Sequence, residues 1–169
     1  MCGIAGIFDL KETREIDADL LHRMNESQFH RGPDEGGVHL EPGVGLGHRR
    51  LSIIDTSQAG SQPMQSSSGK WLLSYNGEIY NAAQLRQELP APERGFRGTS
   101  DTEVLLEALA YWGVKATLEK LNGMFAFALW DRQEQQLTLA RDRMGEKPLY
   151  VGWLDNHIVF TSELKALKR

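Results

Sequence analysis

The sequence of 169 residues contains one cysteine, so no internal disulfide can form. That scarcity suits a reducing compartment, and a cytoplasmic location is expected. No apolar run approaches the length needed to cross a bilayer as a helix. The apolar opening, MCGIAGIFDL, has no basic region ahead of it and turns charged at Lys11, Glu12 and Arg14, so no secretory signal is read. Without a secretory route the Asn25-Glu26-Ser27 sequon carries little meaning. Positive charge is also lacking: 19 basic against 23 acidic residues leave a net charge of -4. Neither a nucleic-acid nor a membrane surface is indicated. The five histidines are scattered and have no metal-ligand spacing with the lone cysteine, so no metal site is expected. Internal repeats and low-complexity tracts are absent.

What is present reads as one domain of ordinary composition, 40% hydrophobic and 25% charged. Residues 2–8 form a short apolar strand, and Asp17 or Asp19 caps a helix running to about His30. A hairpin over 38–40 and 44–51 turns at Glu41-Pro42-Gly43, and a Ser-, Gln- and Gly-rich loop spans 56–69. A strand at 71–75 stops at Asn76-Gly77. Helices follow at 82–89, 101–112 and 114–121; in the second, Val104, Leu105, Ala108, Leu109 and Trp112 recur at helical spacing. Strands at 124–130 and 136–140 and a last hairpin over 149–153 and 157–161 complete the order. Ser162 then caps a helix still running at Arg169, which is taken as a cut end. Hairpin-length turns between strands, with helical blocks outside, predict an α+β fold of two antiparallel sheets packed together and covered by helices.

The single cysteine is residue 2. A free cysteine is usually a small buried hydrophobe. Its position adds another reading. Met1 before a small residue is readily removed, which leaves one residue carrying both a thiol and an α-amine. The thiolate is the nucleophilic form, and an α-amine near its ordinary pKa can take the thiol proton, so no histidine is needed as base. Asn76-Gly77 can place a side-chain amide and a backbone N–H on a developing oxyanion, although taken alone the pair favours a simple turn. Arg50 can clamp a carboxylate and Asp101 can accept from an ammonium group; the simpler readings are a surface ion pair and a helix N-cap. Spacing alone does not bring these residues to Cys2.

Eight segments, in order, carry a resemblance: MCGIAGIFD at 1–9, HRGPD at 30–34, GHRRLSIID at 47–55, NGEIYN at 76–81, GTSDTEV at 98–104, NGMFAFALWD at 122–131, RDRMGEKPLY at 141–150 and SELKAL at 162–167. The sequence resembles the glutamine-hydrolysing domain of asparagine synthetases, within the class II glutamine amidotransferases. The RGPD, NGEIYN and KPLY elements favour asparagine synthetases over the amidotransferases of purine, glucosamine or glutamate synthesis. The resemblance implies the N-terminal nucleophile hydrolase fold, a four-layer αββα sandwich, with residues 1–169 as one glutaminase domain. It implies Cys2 as nucleophile after loss of Met1, and Asn76 and Gly77 as the oxyanion hole. Arg50, not Arg49, matches the residue that holds the glutamine α-carboxylate. Glu78 and Asp101 match those at the α-amino end, backbone groups around Ile53 and Ile54 line the pocket, and Arg31, Gly32 and Asp34 support it. The substrate implied is L-glutamine. No cofactor is implied for this domain; ATP, magnesium and aspartate belong to a C-terminal synthetase domain that the 169 residues do not contain. Two other readings stand beside this one: a non-catalytic glutamine-binding or regulatory domain, and a glutaminase half serving a different ammonia acceptor.

Overall fold

A computed structural model describes residues 1–11, 15–92 and 95–168. Among them nine strands form two antiparallel sheets. The five-stranded sheet contains β1 (Gly3–Asp9), β2 (Glu35–Glu41), β3 (Val44–Arg50), β8 (Tyr150–Leu154) and β9 (His157–Thr161), in the order β2-β3-β1-β9-β8. The four-stranded sheet contains β4 (Met64–Gln65), β5 (Trp71–Ile79), β6 (Gly123–Asp131) and β7 (Gln136–Arg141), in chain order. One sheet packs on the other through Val44, Leu46, Leu72, Ala128, Trp130 and Phe160. No side chain fits at Gly6, because the Phe160 ring occupies the space its Cβ would take.

Each sheet's other face is covered by helices. Ala5, Ile7 and Val159 meet Leu21 and Met24 of α1 (Ala18–Glu26). Leu73, Tyr75, Ile79, Phe125, Phe127 and Leu129 meet α2 (Ala82–Glu88), α3 (Asp101–Trp112) and α4 (Val114–Lys120). The result is the four-layer αββα sandwich. Strand alternation builds it: along β5 the odd residues face the helices and the even ones face the other sheet. Each fully buried aliphatic or aromatic side chain here contributes roughly 1.5–3 kcal/mol over its exposed state.

Several boundaries differ from expectation. Asp17 caps α1, accepting from Leu20 N at 2.8 Å, but the helix stops at Glu26. Ser27 Oγ donates to the Met24 carbonyl there, and a 3-10 turn, Phe29–Arg31, follows. Strand β2 starts at Glu35, so the hairpin is longer than its apolar residues suggested. Residues 56–69 hold the short β4 and a 3-10 turn, Gln58–Gly60. Asn76-Gly77 is no turn: β5 runs on to Ile79, paired with β6 throughout. The helix expected after Ser162 is a 3-10 turn, Leu164–Leu167; Arg169 lies outside the described residues. Ser162 caps nothing. Its N–H donates to the Ile4 carbonyl at 2.9 Å and its Oγ accepts from Ile4 N at 3.0 Å, prolonging the β1–β9 ladder.

Polar ties join the sheets near the future site. Ser74 Oγ donates to the Gly47 carbonyl at 2.9 Å, and the His48 ring nitrogen Nε2 lies 3.0 Å from the Tyr75 carbonyl. A carbonyl only accepts, so Nε2 carries a proton and donates. His48 is fully buried and its Nδ1 has no partner. Burial, against the opposing hydrogen bond to Tyr75, pushes its pKa from 6.5 down to about 4. The unfolded chain therefore takes up this proton near pH 6.5, and the folded chain only near pH 4. Stability from neutral His48 is complete above pH 6.5 and is lost as pH falls through that window, by on the order of 3 kcal/mol. Urea unfolding at pH 7.5, 6 and 4.5 should show the decline, and His48→Gln should flatten it. An equal slope in the variant would assign the acid sensitivity elsewhere.

Candidate active site

Cys2 immediately precedes β1, and the β1–β3 register pairs Gly3 with Arg49, so the next rung sets Cys2 against Arg50. The half-buried thiol lies over Leu51: Sγ accepts from the Leu51 N–H at 3.4 Å and is 3.7 Å from its carbonyl. Arg31 Nε donates to the Cys2 carbonyl at 2.9 Å, and its Nη1 is held by Glu163 at 3.1 Å. Gly32 and Asp34 brace the same wall. The Gly32 carbonyl accepts from Arg49 Nε at 3.0 Å, and Asp34 accepts from Ser52 N at 2.8 Å.

One cleft is lined by Cys2, Arg50, Ile53, Ile54, Asn76, Gly77, Glu78 and Asp101, all of the residues expected to form the site. They arrive from three directions: the head of β1, the end of β3 with the loop after it, and the second half of β5 with the start of α3. Asn76 is an even residue of β5 and faces the other sheet. It is 1% exposed, and its Nδ2 has no hydrogen-bond partner. A buried donor left unpaired costs about 1–3 kcal/mol, so it is rarely retained without a use.

The Gly77 N–H direction follows from its neighbours. Across β6 its partner is Phe125, whose N–H donates to Asp142 and whose carbonyl accepts from Asp142 N. Gly77 and Phe125 are therefore a non-hydrogen-bonded pair, and the Gly77 N–H points to the opposite edge. On that edge Tyr75 N donates to Gln62 Oε1 at 2.7 Å and Ile79 N to Asp101 Oδ2 at 2.9 Å. The Gly77 N–H lies between them. Only glycine fits there, because a Cβ would strike the Met124 carbonyl.

Arg50 is buried beneath the loop that follows it. Its Nη1 donates to Glu35 Oε2 at 3.0 Å and the Ser57 carbonyl at 2.9 Å, and its Nη2 donates to the Asp55 carbonyl. Of five guanidinium protons, the Nε–H and the second Nη2–H have no partner among the described residues, a side-on fork suited to a carboxylate. Asp101 is not a helix cap. Ser100 caps α3, accepting from Glu103 N, which frees the Asp101 carboxylate to turn toward β5. It accepts from Tyr75 Oη at 2.7 Å as well as from Ile79 N. Burial raises the Asp101 pKa against these hydrogen bonds, and burial with the Asp101 charge holds the Tyr75 phenol well above its usual range. Glu78 is exposed at the rim, and Ile53 and Ile54 are 73% and 50% exposed on the covering loop. Gln62, Tyr75, Asp55 and Lys147 also line the cleft. Asp55 and Lys147 lie within segments that carry the resemblance, whereas Gln62 and Tyr75 have no local signal in the sequence. Lys147 Nζ donates to the Met1 sulfur at 3.1 Å, so Met1 sits at the cleft beside Cys2.

A thiol, an unpaired side-chain amide beside a backbone N–H, a guanidinium fork and a buried carboxylate in one cleft suit attack on the amide of a zwitterionic amino acid. The paired sheets between helix layers, with a cysteine at the head of the first strand, define the class: the fold is that of the N-terminal nucleophile hydrolases. The chain belongs to the glutamine amidotransferase domain family, whose sequence model matches residues 1–169. It is 42% identical over 99% of its length to asparagine synthetase [glutamine-hydrolyzing] 1 of Bacillus subtilis, covering 26% of that protein. It is 36% identical to asparagine synthetase [glutamine-hydrolyzing] 3 of Arabidopsis thaliana, covering 28% of it. The chain thus spans about a quarter of the length of these curated relatives. A solved structure of glutamine phosphoribosylpyrophosphate amidotransferase from B. subtilis, complexed with ADP and GMP, superposes with a TM-score of 0.80 at 25% identity, over 98% of this chain and 43% of that one. No helix of the described residues is long and apolar enough to cross a membrane.

Proposed function

We propose that the chain hydrolyses L-glutamine to L-glutamate and ammonia through a thioester on Cys2. The observation that carries this reading is the unpartnered, buried Asn76 Nδ2 in the cleft that Cys2 lines. Loss of Met1 gives Cys2 a free α-amine. That amine takes the thiol proton, and the thiolate attacks the side-chain amide carbon. The C=O electrons move onto oxygen, and the oxyanion is met by Asn76 Nδ2–H and the Gly77 N–H. The amine returns the proton to nitrogen, the C–N bond breaks, and ammonia leaves with a γ-glutamyl thioester behind. Water adds to the thioester, the amine takes its proton and passes it to the departing thiolate, and glutamate is released. The Arg50 fork holds the substrate carboxylate, Asp101 and Glu78 hold its ammonium group, and backbone groups near Ile53 and Ile54 close over it. Nucleophile, proton carrier and oxyanion donors all come from the protein, so the half-reaction as written consumes no ATP and routes no step through a metal.

The ammonia, on this reading, passes to a synthetase domain that amidates aspartate to asparagine with ATP and magnesium, in the cytoplasm. The names of the curated relatives and the quarter of their length that the chain matches support it. Intact-mass measurement with a glutamate-release assay tests the hydrolysis: Met1-free protein should turn over glutamine. An inactive Met1-free protein that still binds glutamine would instead be the non-catalytic domain. Arg50→Ala should raise the KM for glutamine by about 10²-fold or more, as expected for loss of a charge-assisted bidentate contact, with a smaller effect on kcat. An unchanged KM would remove Arg50 from carboxylate binding.

A further inference from the structure

Asp55 closes the GHRRLSIID segment and takes no part in the reaction above. It is nevertheless the most heavily bonded carboxylate at the cleft. Oδ1 accepts from the Ser57 N–H at 2.9 Å and Ser57 Oγ at 2.6 Å. Oδ2 accepts from the Thr99 N–H at 2.8 Å and lies 3.3 Å from Thr99 Oγ1. The Ser57 hydroxyl, then the Thr99 and Ser57 N–H groups, hold its pKa at about 2, so it stays ionised at neutral pH. Its own carbonyl accepts from Arg50 Nη2, and the Ser57 carbonyl from Arg50 Nη1.

These bonds join two segments far apart in the chain. Residues 51–57 form no strand or helix, and two of their apolar side chains, Ile53 and Ile54, face solvent. Little apolar burial therefore fixes this part of the loop, and its anchorage is polar. On the far side, Thr99 lies two residues before Asp101 and next to the cap of α3. One side chain thus ties the carbonyls that orient Arg50 to the backbone that places Asp101. Gly98 leaves no slack, because a Cβ there would strike Asp55 Oδ2.

We propose that Asp55 is a positioning residue that sets the separation of Arg50 and Asp101, and through it the cleft's selectivity for a substrate bearing an α-carboxylate and an α-ammonium group together. This rests on the glutaminase reading of the same cleft. An asparagine at this position has one acceptor oxygen and turns its NH₂ toward donors, so it can satisfy Ser57 or Thr99 but not both.

Asp55→Asn is tested in Met1-free protein with L-glutamine and with glutaramate, which has the same amide and carboxylate but no α-ammonium group. The expected result is a rise in glutamine KM of about 10- to 100-fold, the loss of one or two hydrogen bonds to a charged group, with kcat within about threefold. For glutaramate kcat/KM should move far less, so the preference for glutamine narrows. Ser57→Ala, which removes the hydroxyl that holds Asp55 Oδ1 on its own loop, should narrow it in the same direction by a few-fold and covers a failure of Asp55→Asn to fold. Equal losses on both substrates, a loss confined to kcat, or an unchanged glutamine KM would overturn the assignment. Calorimetric glutamine binding to Cys2→Ala, with and without Asp55→Asn, separates the two readings. If the Cys2 protein hydrolyses nothing but Asp55→Asn still weakens binding, the glutaminase reading falls and the positioning role stands. If glutamine does not bind to Cys2→Ala, both fall.

Discussion

Cys2→Ala is expected to leave a folded protein that releases no ammonia from L-glutamine above background. Removing the nucleophile of a covalent mechanism costs on the order of 10⁶-fold in kcat, because the remaining groups bind substrate without providing a route through the thioester. The fold should tolerate the change. The thiol is half-buried, and its side-chain hydrogen bonds among the described residues are two long ones to the Leu51 backbone, so a stability change of about 1 kcal/mol or less is expected. Circular dichroism and a urea melt check the fold, and coupled detection of glutamate checks the activity. A preparation whose intact mass retains Met1 should behave like Cys2→Ala, since its amine then belongs to Met1 and Met1 sits at the cleft. Residual turnover by Cys2→Ala in a protein free of contaminating glutaminase would place the nucleophile elsewhere.

Asn76→Ala is expected to lower kcat by about 10²–10³-fold with KM within roughly threefold, the pattern of a donor that acts on the transition state more than on bound substrate. Nδ2 has no partner, so its removal breaks no hydrogen bond in the resting protein. The loss of activity should come without a matching loss of folding stability. Stopped assays across a glutamine series, beside thermal unfolding, read both quantities. A KM effect with intact kcat would make Asn76 a substrate-binding residue, and a collapse in stability would make its role structural.

The order of strands and helices was largely legible because most elements are defined locally. The apolar stretch of β6 reads as a strand buried on both faces, and Val104, Leu105, Ala108 and Leu109 mark the buried stripe of α3. Misreadings fall where a distant partner overrides a local preference. Asn76-Gly77 favours a turn in isolation, but the pairing of Glu78 with Met124 and Ile79 with Gly123 carries β5 through it. Ser162 favours a helix cap, yet Ile4, distant in sequence, claims both its hydroxyl and its N–H. The two-residue β4 has no pattern to detect. Among the site residues, Cys2 was suggested by its position in the chain. Arg50 and Asp101 stand out as anchors of opposite charge, Glu78 rests on the resemblance alone, and spacing does not join any of them to Cys2.

The sequence by itself determined the ingredients: a lone cysteine at residue 2, an Asn-Gly pair, charges of both signs, and eight segments in an order that marks the family. The tertiary structure decided what these ingredients meet. Cys2 touches Leu51 across 49 residues of chain, and Asp55 reaches Thr99 across 44. Such contacts depend on strand register and on one sheet seating against the other, and both are collective results of packing the whole core. An unpaired amide, a guanidinium fork and a latched loop are properties of that packing, and no local stretch of residues encodes them.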